Sequence, residues 1–187
     1  MKKFISSLIA SLTIAAPAMA SPLPADHQVL VNTLKEDGIK VLVNEPANVC
    51  FDGSTRNGVY GAHRGTRYLV VCQDNRSKAE FNINEDVSFI APWTANDLDT
   101  IRHETTHIIQ DCMVGPNNDG KFDTIFTSLA DVIDSYGVVD TMRIINGYLD
   151  LYKGDRNPDI KYEIEAFYAA RSLSATEITA MYKKYCR

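Results

Sequence analysis

The apolar residues of this chain follow two rhythms. Up to about residue 91 they alternate or gather in short runs, and from Trp93 onward they recur at intervals of three and four. Leu98, Ile101, Thr105, Ile108 and Cys112 trace one mainly apolar stripe. That helix opens after Pro92-Trp93-Thr94, where Thr94 and Asp97 have the spacing of a capping box. An earlier helix is predicted over Asp26 to Glu36, marked by Val29, Leu30 and Leu34 and ended by Asp37-Gly38. Ile39 to Val43 then alternates as a strand. β-like runs follow at Asn48 to Phe51, Gly58 to Ala62 and Arg67 to Cys72, with a weaker one at Val87 to Ala91. Downstream, Phe122, Ile125, Phe126, Leu129, Val132 and Ile133 mark a helix, and Val139 to Leu151 another. One more starts at Pro158, and Ser174 with Glu177 caps a last helix that runs to Tyr185. The expected architecture is α+β: a small, mostly antiparallel sheet followed by a helical C-terminal half, in one domain over 21–187.

Composition narrows the setting. Lys2 and Lys3, an apolar run from Phe4 to Ala16 and the A-x-A sequence Ala18-Met19-Ala20 read as a signal peptide over 1–20, cleaved after Ala20. The expected location is therefore secreted or periplasmic, with no membrane attachment after cleavage. Cys50, Cys72, Cys112 and Cys186 all fall beyond that point, an even number in an exported chain, which reads as two disulfides. The preferred pairing is Cys50–Cys72, closing a strand–loop–strand unit, with Cys112–Cys186 tying the end of the central helix to the C-terminus. The net charge of −5 and the lack of a basic cluster beyond the first residues argue against nucleic acid as a partner. Asn117-Asn118-Asp119-Gly120 has the look of a calcium loop but fails as one: its first position would be Gly115 and its twelfth Phe126.

The chemistry lies in His103-Glu104-Thr105-Thr106-His107, an HExxH sequence within the central helix. Residues four apart share a helix face, so two imidazoles can converge on one zinc ion, and Glu104 stands beside them to take a proton from a water. Both histidines point away from the apolar stripe, toward a second surface. His27, near the start of the mature chain, is expected to be exposed and inert.

Two imidazoles leave zinc short of a protein ligand. The longer HExxHxxGxxH arrangement is excluded, because Gln110 stands where it needs Gly and Met113 where it needs His. The better source is the helix Lys161-Tyr162-Glu163-Ile164-Glu165-Ala166-Phe167-Tyr168-Ala169. HExxH followed by a Glu-x-x-Ala helix resembles the gluzincin type of zinc metallopeptidase in the zincin superfamily. The resemblance implies Glu163 as third ligand, with Ala166 allowing close helix packing. Many gluzincins place Asp directly after that Ala to brace a motif histidine, whereas this chain has Phe167. Glu165 is the rival ligand; two residues apart on a helix, the two carboxylates point about 160° apart, so only one can face the metal. An aspartate-ligand zincin using Asp131 or Asp134 is the remaining alternative, although its Asp-to-Tyr-Gly spacing departs from that family's pattern by one residue.

The expected function is an exported zinc metallopeptidase acting on peptide or protein substrates, with Glu104 as general base. Tyr162, Tyr168, Arg171 and His63 are candidates by residue type for stabilising an oxyanion. Competing readings are a zincin-fold binding or inhibitory module without turnover, a structural zinc domain, and a toxin or cell-wall amide hydrolase using the same site. A structural zinc normally has four Cys or His ligands, which the surroundings of the motif do not offer.

Overall fold

The computed structural model describes residues 22–53, 57–63, 65–76, 91–115, 121–151 and 160–187. The expected signal peptide, the turn at 117–120, Pro158 and residues 87–90 of the weak strand lie outside them. Helix α1 (Ala25–Glu36) buries Leu30, Val31 and Leu34. It ends where Gly38 turns to φ 77° and Ile39 N–H returns to the Leu34 carbonyl, a conformation glycine adopts without a Cβ clash.

Strands β1 (Lys40–Val43), β2 (Gly58–His63) and β3 (Thr66–Val71) form one sheet in the order β1-β3-β2. β2 and β3 make an antiparallel hairpin that pairs Gly58 with Val71 and His63 with Thr66. β1 lies parallel to β3, with Lys40 opposite Tyr68 and Val43 opposite Val71. The sheet is thus mixed: the hairpin's second strand returns to the middle, where it meets β1 running the same way. Alternation along β3 sends Leu69 and Val71 into the main core and Val70 to a smaller cluster with Cys50 and Cys72.

The run expected as a strand at Asn48 to Phe51 is instead a single helical turn, α2 (Ala47–Cys50). Val49 and Cys50 donate back to the Pro46 carbonyl, and the Arg76 side chain takes the Cys50 carbonyl, so this backbone needs no strand partner. Four apolar-leaning residues carry no period that separates the two conformations.

Helices α3 (Ala95–Met113), α4 (Leu129–Tyr136), α5 (Val138–Leu151), α6 (Ile160–Ser172) and α7 (Ala175–Cys186) complete the described fold. Capping boxes start α3 at Thr94 with Asp97 and α7 at Ser174 with Glu177. α3 runs through the middle, packed by β2 and β3, by α6 and by α7. Its Ile101, Ile108 and Ile109 join Leu30, Leu34, Leu69, Ile178 and Tyr182 in the core.

The helix predicted from Phe122 to Ile133 begins only at Leu129, where the Ser128 side chain accepts the Asp131 N–H. Upstream, three backbone N–H groups are spent elsewhere. Asp123 donates to the Gln110 carbonyl, and Ile125 and Phe126 donate to the Glu165 carboxylate. Tertiary acceptors thus override the helical spacing of the apolar residues.

Disulfides join Cys50 to Cys72 and Cys112 to Cys186, with Cα–Cα distances of 5.1 and 5.2 Å. The second ties the last turn of α3 to the end of α7. Among the described residues no helix is long and apolar enough to cross a membrane.

Candidate metal centre

Four-residue spacing on α3 places His103 and His107 one turn apart on the flank that meets α6, while Ile101, Thr105 and Ile108 turn into the core. Across the interface, Glu163 in the first turn of α6 reaches both rings. Its Oε2 lies 3.3 Å from His103 Nε2 and 3.4 Å from His107 Nε2, and the two ring nitrogens are 3.1 Å apart. Each imidazole side chain is 12% exposed and Glu163 19%, so the cluster is largely enclosed but still reaches solvent. These three residues form a group that could hold a metal ion.

The two imidazoles are supported differently. His107 Nδ1 lies 2.8 Å from Gln110 Oε1. A carboxamide oxygen only accepts, so this nitrogen carries a proton, and Nε2, which faces Glu163, is the nitrogen that could ligate an ion once it is deprotonated. His103 Nδ1 is buried and has no hydrogen-bond partner among the described residues; the Phe167 ring packs edge-on against its imidazole at 4.5 Å. Tyr148 on α5 donates its phenol to Glu163 Oε2 at 2.6 Å, fixing the carboxylate from the side opposite α3.

Charge follows burial and neighbours. For His107, burial works against protonation, but the Glu163 contact and the Glu104 charge outweigh it and raise its pKa to about 9. Burial alone would lift Glu163, yet hydrogen bonds from both imidazoles hold its carboxyl well below the usual carboxylate range.

Glu104 occupies the neighbouring flank of α3, against the sheet. It is buried, and burial pushes its pKa up, an effect the nearby histidines only partly offset. The Tyr60 backbone N–H hydrogen-bonds its carboxylate. Tyr60 also donates its phenol to Asp111 Oδ2 at 2.6 Å, stapling β2 to α3. β2 comes this close only because residue 58 is glycine: a Cβ there would sit 2.6 Å from Thr100 Cγ2 and 2.7 Å from Glu104 Oε1.

The other residues singled out in the sequence fall away from the cluster. Glu165 is fully buried, held by Gln110, Ile125 and Phe126, and is not part of the His103, His107 and Glu163 group. Asp131 and Asp134 are exposed on α4 and take no part. Tyr162 donates to the Phe122 carbonyl, the Tyr168 ring packs on Phe126, and Arg171 bonds the Tyr136 phenol. His63 ends β2.

His27 is buried, not exposed. Its Nδ1 bonds Asp26 and its Nε2 faces the Arg102 guanidinium at 2.9 Å, so both ring nitrogens are matched and burial costs little. Tyr148 and Gln110 escaped the sequence reading. Nothing local marks Tyr148. Gln110, three residues beyond His107 on one helix, was within reach of the helical spacing rule.

Comparison with protein-family models, curated proteins and solved structures finds no match for this chain.

Proposed function

We propose that this chain is an exported zinc-dependent peptidase, in which His103, His107 and Glu163 hold the ion and Glu104 is the general base. One observation carries the reading: three donor atoms at mutual distances of 3.1, 3.3 and 3.4 Å stand beside a buried carboxylate. Two ligands each ~2.0–2.1 Å from a tetrahedral ion are separated by about 3.3 Å, so this triangle fits one face of such a shell. Two imidazoles with one carboxylate are a donor set zinc accepts, and three protein ligands leave room for water, as hydrolytic sites require. The order of motifs, HExxH before Glu163-x-x-Ala166, also resembles gluzincins. Two disulfides suit an oxidising compartment, and with the N-terminal apolar run they support export.

Bound zinc supplies Lewis acidity, polarising a carbonyl and bringing a water toward a pKa of about 7. Glu104 would take a proton from the attacking water and pass it to the leaving nitrogen. Its raised pKa suits the first half of the cycle, because a carboxylate that holds a proton more firmly is the better base. The Tyr60 N–H keeps the carboxylate in place, and Tyr148 steadies Glu163.

Zinc quantification on mature protein and digestion of a mixed peptide pool test the reading. Wild type should carry one zinc and lose hydrolysis on chelation. Glu104→Gln should keep the zinc and lose a factor of about 100 to 10,000 in turnover, the usual contribution of a general base. Full activity in that variant removes Glu104 from the mechanism. Zinc bound without hydrolysis would favour a binding module instead.

A further inference from the structure

We infer that Gln110 and Glu165 are positioning residues: they fix His107 with its proton on Nδ1 and its Nε2 turned to the metal, and through them the segment 121–128 sets how tightly the ion is held. The inference rests on the metal-site reading above and extends it to residues that never touch the ion.

The argument starts from donors and acceptors. A Gln side chain has one oxygen that accepts and one nitrogen that donates twice. The Gln110 nitrogen faces two groups that only accept, the Tyr162 carbonyl at 3.1 Å and Glu165 Oε2 at 3.0 Å. Rotating the amide by 180° would turn its oxygen onto both of them, so the orientation is decided without reference to the histidine. The oxygen is then left facing His107 Nδ1 at 2.8 Å, and only a protonated Nδ1 satisfies it.

Glu165 is fixed in turn. Its Oε2 also accepts the Ile125 N–H and its Oε1 the Phe126 N–H, both at 3.1 Å. The same segment is pinned twice more, by Asp123 N–H on the Gln110 carbonyl and by the Tyr162 phenol on the Phe122 carbonyl. The Phe122 ring lies over His107 at 6.1 Å. Residues 121–128, Glu165, Gln110 and His107 therefore form one continuous chain of contacts. Among the described residues His103 has no such counterpart, since its Nδ1 is unpartnered. Of the two imidazoles, His107 is thus the one held by hydrogen bonding, and Gln110 is the link through which that hold passes.

Zinc titration against a competing chelator, with nitrogen-15 imidazole spectra of His107, tests this. Gln110→Leu removes all three side-chain hydrogen bonds and should weaken zinc binding by about 10- to 100-fold, the usual effect of losing a ligand's outer partner. The His107 Nδ1 proton should exchange slowly with solvent in wild type and rapidly in Gln110→Leu, with or without zinc. Should Gln110→Leu not fold, Glu165→Gln serves: it removes one acceptor of the chain and should weaken zinc by roughly 3- to 10-fold. Wild-type affinity in Gln110→Leu, or in Glu165→Gln where that variant stands in, overturns the inference. So does exchange of the His107 Nδ1 proton that is as slow in Gln110→Leu as in wild type. A wild type that takes no zinc at all sinks the metal reading instead, and the proton signal still decides the positioning role.

Discussion

Toward α1 and α7, helix α3 contributes Ile101, Ile108 and Ile109 to an apolar core that includes Leu30, Ile178 and Tyr182, with Cys112 locked to Cys186. Toward α6 and β2 the same helix buries Glu104, Gln110 and two imidazoles beside Glu163 and Glu165. The first side gains stability with every side chain withdrawn from water, at roughly 1.5–3 kcal/mol for a large aliphatic group. The second gains little: each buried charge costs desolvation that its partners only offset. One helix thus separates what holds the protein together from what it can do, and damage to the two sides should read out differently.

The largest expected effect is on the polar side. Glu163→Ala should lower zinc affinity by a factor of at least about 1,000, equivalent to about 4 kcal/mol, while far-UV circular dichroism of the zinc-free protein stays native. Collapse of the fold in that variant would blur the division. On the apolar side, Ile108→Ala should cost about 3 kcal/mol in urea denaturation, with zinc stoichiometry intact in the folded fraction. Replacing Cys112 and Cys186 together with Ser should cost about 2–4 kcal/mol by the same measurement, since the bridge closes a long loop.

A pH profile sharpens the contrast within the polar side. In zinc-free protein the His107 pKa is raised from 6.5 to about 9. Stabilisation from its protonated form is fully present below about pH 6.5 and disappears as pH rises through about 9. Chelated wild type should therefore lose thermal stability over that interval, and His107→Ala should not; parallel profiles would refute the coupling. The smallest effect is expected at the chain's end, where Arg187 pairs with Asp37 at 2.8 Å and with Glu36 at 3.3 Å on the surface. Arg187→Ala should cost less than about 1 kcal/mol. The Asp37 contribution fades as acid protonates a carboxyl that Arg187 holds below its usual range.

What the sequence made legible was local. Thr94 with Asp97 and Ser174 with Glu177 announce helix starts because a capping box needs only four residues. His103 and His107 converge because helix geometry alone brings them together, and four cysteines leave few pairings. What stayed hidden was held by distant partners. Phe122, Ile125 and Phe126 have helical spacing, yet Glu165, some forty residues on, takes their segment's N–H groups. His27 looked idle because Arg102 lies 75 residues away in sequence. Tyr148 reaches Glu163 from a different helix, and no spacing rule connects them.

Gly58 and Gly61 share one strand, and on paper they are interchangeable targets for anyone stiffening the hairpin with β-branched residues. At 61 an added Cβ meets nothing within 4 Å, so a Thr there should fit without cost. At 58 even one methyl would act as a wedge between strand and helix, displacing the Glu104 side chain. Efforts to make the protein hardier through β2 therefore have a single open door, and the other is closed by the chemistry behind it.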